Sequence, residues 1–590
     1  MNIKERIEEL RKQMRERGID AYIVRSSDPH QSEYVAEHHA ARAFITGFTG
    51  SAGTAIITLK DASLLTDGRY YTQAESELKD TGVTLISMGD SEIPIVESVL
   101  KLSLHKGAKV AFDGKVISEE YFRDLKKLVE SSEFTFEVNE DLIDKVWKER
   151  PAKPRSQVVL HDLKYSGEER EMKLAKVSLV MKSMRADHYV ISGLDDIAWL
   201  LNIRARDVKC NPLTIAYCVM TQDKCCLFID DFKVDAEVRI ELEKAYVEIM
   251  PYDSIGIFLE NIKEGTILLD AAKTSTYIYS SINIKIVEAT DITTLLKALK
   301  NDIQIQNIRN AMVRDGVAMV KFISWLKKTI KTRSITEIEA ADKVEGFRRE
   351  GENFYDLSFK SISAYQANAS MPHYSPTEKN QANIVQKGLY LLDSGAQYLD
   401  GTTDITRTFA VGPLTEEEKT DFTLVLRGMI DLTLQRFLCG TTGSNLDIIA
   451  RIPLWNAGMD YKHGTGHGVG FFLNVHEGPH RISKVPNTVA LEEGMVVSNE
   501  PGVYKEGKHG IRIENLVIVH EDEFTDYGGL FMKFETLTLC PIDVQAMDVS
   551  LLTIEEKSWL NNYHKTVFDK LSIYLEGEEL EYLKGATVAI

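Results

Sequence analysis

Residues 463–470 read HGTGHGVG, and His476 follows in FFLNVHEGPH. Two histidines four apart could bind zinc from one helix face, as in H-E-x-x-H motifs. Four glycines in those eight residues would each cost a helix about 1 kcal/mol relative to alanine. His463 and His467 are therefore expected on extended or looped backbone, with chemical partners drawn from elsewhere in the chain. The apolar run GLYLLDSG ends on Asp393, and Asp404 follows eleven residues later in DGTTDITRT, with Gly395 and Gly401 able to bend the chain into a hairpin. Glu500 ends the apolar run EGMVVSNEPG, and Glu514 lies fourteen residues further on in IRIENLVIV. Four acids on buried strands suffer desolvation and mutual repulsion unless a cation compensates them. A metal site is the economical explanation. With His467 the set is four carboxylates and one imidazole, enough to hold two divalent ions, and its oxygen-rich character favours manganese, cobalt or iron over a thiolate-type zinc site. Such a clamp, with ions about 3.5–4 Å apart around one activated water, suits peptide, ester or phosphate hydrolysis.

The elements that must position these residues follow from periodicity. KGLYLLDSG, ITRTFAVG, NTVALEEGMVVSNEPGVY and GIRIENLVIVHED read as strands of a largely antiparallel sheet. NDIQIQNIRNAMVRDGVAMVKFISWLKKTI is apolar at helical spacing, SITEIEAADKVEGFRRE carries Thr336 and Glu339 spaced as a capping box, and PLTEEEKTDFTLVLRGMIDLTLQRF carries a second in Thr415 and Glu418. Helices beside such a sheet predict an α+β domain. The acid-rich EEEKTD and EGEELEY are expected as solvated helix faces.

Upstream, two segments share one plan. A charged helix, with Ile3, Ile7 and Leu10 on one stripe, precedes AYIV, DPHQSEYV, RAFITGFTGSAGTAIIT and DGRYYTQA; EEREMKLAKVSLVMKSMRA precedes HYVIS, DDIAWLLNIRA, TIAYCVM and CCLFID. The recurrence predicts a duplicated α/β domain, with a linker in KERPAKPRSQ. The expected domains are 1–154, 155–300 and 301–590.

A chain of 590 residues is too long for one core. Its net charge of −19, from 70 basic and 89 acidic residues, argues against nucleic acid and anionic membranes as partners. Six cysteines without framework spacing suit a reducing compartment, and one of the adjacent Cys225 and Cys226 is expected to face a core. The N-terminus lacks the apolar stretch of a signal peptide, and no run reaches 18 apolar residues; a soluble, cytoplasmic protein is expected.

DSGAQYLDGTTDITRT, HGTGHGVGFFLNVHEGP, SNEPGVY and GIRIEN resemble the motifs of the pita-bread metallopeptidases, the group of methionine aminopeptidase, prolidase and aminopeptidase P. The three-domain length, DPHQSEY, FTGSAGTAIIT and TDGRYYTQA, with the tail motifs FETLTLCPID and LNNYH, resemble the large cytosolic type of Xaa-Pro aminopeptidase. The resemblance implies two creatinase-like N-terminal α/β domains followed by a pita-bread catalytic domain. It implies hydrolysis of the first peptide bond where proline stands second, with prolidase-type dipeptide cleavage or non-catalytic binding as alternatives. The metal ligands it implies are Asp393, Asp404, His467, Glu500 and Glu514, holding two divalent ions, manganese foremost, with cobalt, zinc or iron also compatible. The resemblance further implies that Glu500 is the general base and that Arg512 orients the carboxylates. It implies that His373, His463 and His476 surround the substrate and stabilise charge on its scissile carbonyl, and that His467 and Arg69 also belong to the substrate-binding set. A homodimer is implied, with YGGLFMKFETLTLCPI expected to supply part of the contact. His480 and Arg481 depart from the small residues of the family pattern, at a place that bears on the outer subsites.

Overall fold

The computed structural model describes residues 1–89 and 92–590. Two compact units result: residues 1–161 with 168–294, and residues 162–167 with 295–590.

In the first unit the charged N-terminal helix α1 (Ile3–Arg17) buries Ile7, Leu10 and Met14, while Asn2 and Glu5 close a capping box at its start. Strands β1 (Ala21–Arg25), β2 (Thr54–Thr58), β3 (Ala62–Thr66), β4 (Thr84–Ser87), β5 (Lys109–Ala111) and β6 (Thr135–Glu137) form one sheet in the order β4-β3-β2-β1-β5-β6. Strands β7 (His188–Ile191), β8 (Tyr217–Met220), β9 (Cys225–Ile229), β10 (Val247–Pro251), β11 (Thr266–Leu269) and β12 (Lys285–Glu288) form another, ordered β10-β9-β8-β7-β11-β12. From that edge both sheets pair parallel, antiparallel, antiparallel, parallel, parallel. The identical order and sense make the second module a topological copy of the first. Two-sided burial explains one departure from the sequence reading: Cys225 and Cys226 are both inside, at 3% and 0% exposure, because β9 is an interior strand covered on both faces.

His30 of the DPHQSEY motif joins the two copies. Its Nδ1 lies 2.9 Å from the carbonyl of Ser192, so that nitrogen carries the proton, and its Nε2 accepts from the Tyr252 hydroxyl at 2.9 Å.

The second unit pairs each of two sheets with two helices. Helices α2 (Asp302–Thr329) and α3 (Glu337–Arg349) cover the sheet β13 (Ile362–Tyr365), β14 (Leu389–Ser394) and β15 (Ile405–Ala410), burying Met319, Phe322, Ile323 and Leu326 against Tyr390, Leu392, Ile405 and Phe409. Helices α4 (Glu416–Leu434) and α5 (Gly443–Trp455) cover a six-stranded sheet. Its strands are β16 (Phe437–Leu438), β17 (Gly466–Gly468), β18 (Glu477–Ile482), β19 (Val496–Asn499), β22 (Asn515–Thr525) and β23 (Gly529–Thr536), in the order β16-β23-β22-β19-β17-β18. A hairpin of β20 (Gly502–Lys505) and β21 (His509–Arg512) lies between β19 and β22 in the chain. A third helix, α6 (Ile554–Leu571), buries Leu560, Val567 and Leu571 in the core shared with α4.

Two local expectations are revised. Thr336 caps α3 by accepting from the Glu339 amide at 3.1 Å, but the Glu339 carboxylate turns to Arg333 at 3.0 Å and leaves the box half made; a charge-assisted bond outcompetes a return bond to a cap amide. The Thr415–Glu418 box closes in both directions. The EEEKTD stretch is not uniformly solvated: Asp421 is buried against Lys505 (2.6 Å) and His509 (2.8 Å), because its helical period turns that residue inward.

Burial drives the His30 pKa down to about 3. The folded state thus stays neutral while the unfolded chain takes up a proton below about pH 6.5, so this histidine's contribution to stability is complete above pH 6.5 and is lost as pH falls towards 3. A His30→Gln variant is expected to melt below the parent at pH 7.5, with the gap in Tm narrowing steadily between pH 6.5 and 4. A gap independent of pH would contradict the neutral buried imidazole.

Candidate metal centre

The ends of β14, β15, β17 and β19 and the break between β21 and β22 deliver the five singled-out side chains. β14 pairs antiparallel with β15, setting Asp393 opposite Thr406 and placing Asp404 just before β15 begins. The turn between them depends on Gly395, where a Cβ would lie 2.0 Å from the Thr403 carbonyl oxygen and 2.2 Å from Ser358 Oγ. Gly466 has the same kind of constraint: a Cβ there would meet the Ser498 carbonyl at 1.8 Å. The glycines around His467 therefore serve a tight strand, β17, rather than a helix. The Glu500 amide donates to Thr465 O (2.8 Å), and the Glu514 amide to Thr406 O (3.1 Å), tying the two glutamates to the histidine and aspartate strands.

Asp404, His467 and Glu514 each bring one ligand atom within 4.8 Å of the others. His467 Nε2 lies 3.5 Å from Asp404 Oδ2 and 3.5 Å from Glu500 Oε1. Its Nδ1 is 2.9 Å from the Gly468 carbonyl, which fixes the proton on that nitrogen and turns Nε2 to the carboxylates. Burial would lower the His467 pKa, but Asp404 and Glu500 lift it to about 9. Burial raises the carboxylates: Asp393 to about 6, with Arg512 opposing and Asp404 reinforcing, and Glu500 to about 7 against His467 and Arg512. Glu514 is pushed well up by burial and then by Asp404, Glu500 and Asp393. Asp393 Oδ1 and Asp404 Oδ1 are buried without a hydrogen-bond partner. Unsatisfied carboxylate oxygens, mutual repulsion and one imidazole nitrogen aimed inward form a donor set suited to hard or borderline divalent cations.

A layer of polar residues holds the cluster. Arg512 Nη2 donates to Asp393 Oδ2 (2.6 Å) and Pro372 O (3.3 Å), its Nε to Thr406 Oγ1 (3.1 Å) and its Nη1 to the Tyr504 hydroxyl (2.6 Å). Thr406 Oγ1 donates to Glu514 Oε2 at 2.8 Å. The Tyr504 hydroxyl donates to His463 Nε2 at 2.8 Å, since His463 Nδ1 faces the Gly464 carbonyl at 2.7 Å. Burial keeps that phenol protonated, with its pKa at about 12 despite Arg512. Arg512 thus links Asp393 directly, Glu514 through Thr406 and His463 through Tyr504. It ends β21, while Glu514 sits in the break before β22, so a change of strand separates two residues that are only two apart in the chain. Tyr504 and Thr406 were missed, although both stand inside quoted motifs, SNEPGVY and DITRT; an uncharged side chain advertises no role until its neighbours are known.

The remaining residues have surroundings of their own. The His476 ring packs edge-on against His467, with centroids 4.3 Å apart. A buried pair, Lys300 to Glu477 at 2.5 Å, secures the start of β18 directly after it. His373 follows Pro372, whose carbonyl Arg512 holds. Arg69, in the first unit, makes a bidentate pair with Asp67, both contacts at 2.8 Å, and lines a polar cavity of about 410 Å³ with Arg25, Glu33 and Glu92. His480 is buried, its Nε2 bonded to Val496 O at 2.8 Å, while Arg481 is exposed. One of the two unusual residues therefore packs beneath β18 rather than on a surface available to ligands.

Comparisons with known proteins bear on this arrangement. Residues 306–521 match the model of metallopeptidase family M24, and residues 530–590 match the C-terminal region of peptidase M24. Residues 6–145 and 149–304 each match a creatinase/prolidase N-terminal domain. A probable Xaa-Pro aminopeptidase P of Laccaria bicolor is 41% identical, over 99% of this chain and 93% of its own. Aminopeptidase P2 of Arabidopsis thaliana is 39% identical, over 95% of this chain and 84% of its own. The crystal structure of an X-prolyl aminopeptidase from Caenorhabditis elegans, described as a cytosolic enzyme with a di-nuclear active site, superposes with a TM-score of 0.96 at 35% identity and covers both chains completely.

Proposed function

The chain belongs to the Xaa-Pro aminopeptidases of metallopeptidase family M24, and from that premise we propose that it removes the first residue of peptides whose second residue is proline. The observation that carries this reading is the convergence of four carboxylates and the Nε2 of His467 in one buried cluster. In this proposal Asp393, Asp404, His467, Glu500 and Glu514 hold two divalent ions, manganese foremost. Such ions would polarise the scissile carbonyl and acidify the attacking water.

The chain's own residues then divide the work. Glu500 takes a proton from the water, and its position beside His467 suits that task. His463 and His476 border the scissile carbonyl and stabilise the charge that develops on it, with His373 and His467 shaping the same side. Arg512 keeps Asp393 and Thr406 in register, and Tyr504 fixes the His463 tautomer. Arg69 is proposed to reach the peptide from the N-terminal module. A proline in second position makes the scissile bond a tertiary amide without an N–H. The selectivity is proposed to come from His373, His463 and His476, which would accommodate the proline ring beside that bond.

The division into 1–154, 155–300 and 301–590 and a cytoplasmic location are part of the same proposal; similarity to a cytosolic enzyme and six free cysteines support the location. Among the described residues no helix is long and apolar enough to cross a membrane. A homodimer is proposed as well. A groove of about 700 Å³ lined by apolar and polar side chains in equal number, among them Leu434, Ile554, Trp559, Glu555 and Asn562, adjoins the tail segment expected to make the contact.

Three outcomes test this reading. Chelated protein restored with Mn²⁺ is expected to hydrolyse Arg-Pro-Pro, and to do so better than protein restored with Mg²⁺, while Arg-Ala-Pro is cleaved poorly; comparable kcat/KM for the two peptides would remove the proline selectivity. Glu500→Gln keeps size and one ligating oxygen but removes the base, so kcat should fall about 10²–10⁴-fold with much less change in KM. Activity within tenfold of the parent would assign the base elsewhere. Light scattering at micromolar concentration should give twice the 66.6 kDa chain mass, and a monomer would refute the dimer.

A further inference from the structure

The tail motifs FETLTLCPID and LNNYH have no part in the reaction as proposed, yet they meet directly behind the cluster. Their meeting point is Arg407 of β15, a guanidinium 1% exposed. Its Nη1 donates to the carbonyls of Glu514 (2.6 Å) and Thr406 (3.0 Å). Its Nη2 reaches Asn515 Oδ1 (2.8 Å), Cys540 O (2.9 Å) and the Tyr563 hydroxyl (2.9 Å), and its Nε reaches Pro541 O (3.3 Å). All of these acceptors are neutral oxygens. A buried charge is costly, and an apolar side chain would fill the volume without that penalty, but could not span so many fixed points.

The tail side of this junction is itself pinned by α6. The Tyr563 hydroxyl accepts from the Cys540 amide (3.2 Å) and lies 2.9 Å from the Cys540 carbonyl, while His564 Nε2 accepts from the Ile542 amide (3.1 Å). On the cluster side, the strand neighbour Thr406 holds Glu514 twice, through Oγ1 to the carboxylate (2.8 Å) and through its carbonyl to the amide (3.1 Å). A continuous run of bonds therefore leads from α6 through Arg407 to the backbone and side chain of Glu514.

We propose that Arg407 and Tyr563 are positioning residues for Glu514, so that the C-terminal segment is part of the apparatus that holds the metal-binding carboxylate in place. This rests on Glu514 being a metal ligand. Glu514 sits in the break between β21 and β22, outside both strand ladders, where Thr406 holds its amide and carboxylate and Arg407 holds its carbonyl. Hydrogen-bond partners of a metal ligand typically alter metal affinity 10–100-fold when lost; Arg407 acts on the backbone of that ligand, and Tyr563 acts through Arg407.

The test is calorimetric titration of Mn²⁺ into the metal-free full-length protein, with the melting temperature of the same metal-free samples measured alongside. Tyr563→Phe keeps the ring and deletes the acceptor; Arg407→Lys keeps the charge but cannot bridge both sides. Each is expected to weaken Mn²⁺ binding about 10–100-fold. His564→Gln, which disturbs the Ile542 bond on the same helix without touching Arg407, is expected to lower Tm at least as much as Tyr563→Phe and to leave Mn²⁺ affinity within about threefold, well short of that range. Unchanged Mn²⁺ affinity in Tyr563→Phe and Arg407→Lys overturns the positioning role. Affinity lost in proportion to Tm across all three variants overturns it too, since the tail would then be only a structural support. Glu514→Gln separates the two levels: if it binds Mn²⁺ as the parent does, the ligand reading beneath the proposal fails, whereas lost binding in Glu514→Gln beside a normal Tyr563→Phe defeats the positioning role alone.

Discussion

Repulsion among buried carboxylates is the constraint around which the second unit is built. Asp393, Glu500 and Glu514 lie where burial disfavours the charged form, and the carboxylates beside each of them, Asp404 included, worsen the penalty. Left to themselves these groups would turn to solvent or take up protons. They are kept inward by strands that cannot reposition without breaking their ladders, and by cations of the protein itself: Arg512 on Asp393 and the imidazole of His467 between Asp404 and Glu500. That incomplete compensation is the physical case for divalent metal.

Rigidity follows from how the strands arrive. No single element carries the cluster: Asp393 and Asp404 come from the hairpin under α2 and α3, and His467, Glu500 and Glu514 from the sheet region under α4 and α5 and its margins. Each sheet buries its helix-facing side in an apolar core, so the two halves are stable supports, and the polar ends meet where they adjoin. Glycine is used where these ends crowd, at Gly395 and Gly466, because even a methyl group would collide with a neighbouring carbonyl.

Between apolar core and carboxylates lies a shell of hydrogen bonds. Arg512, Thr406, Tyr504 and Arg407 distribute one guanidinium or hydroxyl among several strands, so displacement of any strand strains bonds to the others. The N-terminal modules handle buried polarity in a different way: His30 sits neutral between them, trading charge for two hydrogen bonds.

Element types, the duplication and an unusual set of four acids and one histidine are legible in the sequence. An acid at the end of an apolar run is visible because it breaks a pattern, a glycine-rich HGTGHGVG excludes a helix, and two segments repeating one order of elements announce a copied fold. Motif resemblance supplied the family. What the sequence left unresolved were roles that exist only through neighbours. Tyr504, Thr406 and Arg407 look like ordinary strand residues until three chain segments close around them. Glu339 has ideal spacing for a capping box, yet a nearby guanidinium draws it away; Asp421 sits in an acidic run, yet the helix turns it inward. Tertiary structure decided these cases, because a hydrogen bond or an ion pair depends on distances of a few ångströms between atoms that the chain separates by dozens of residues.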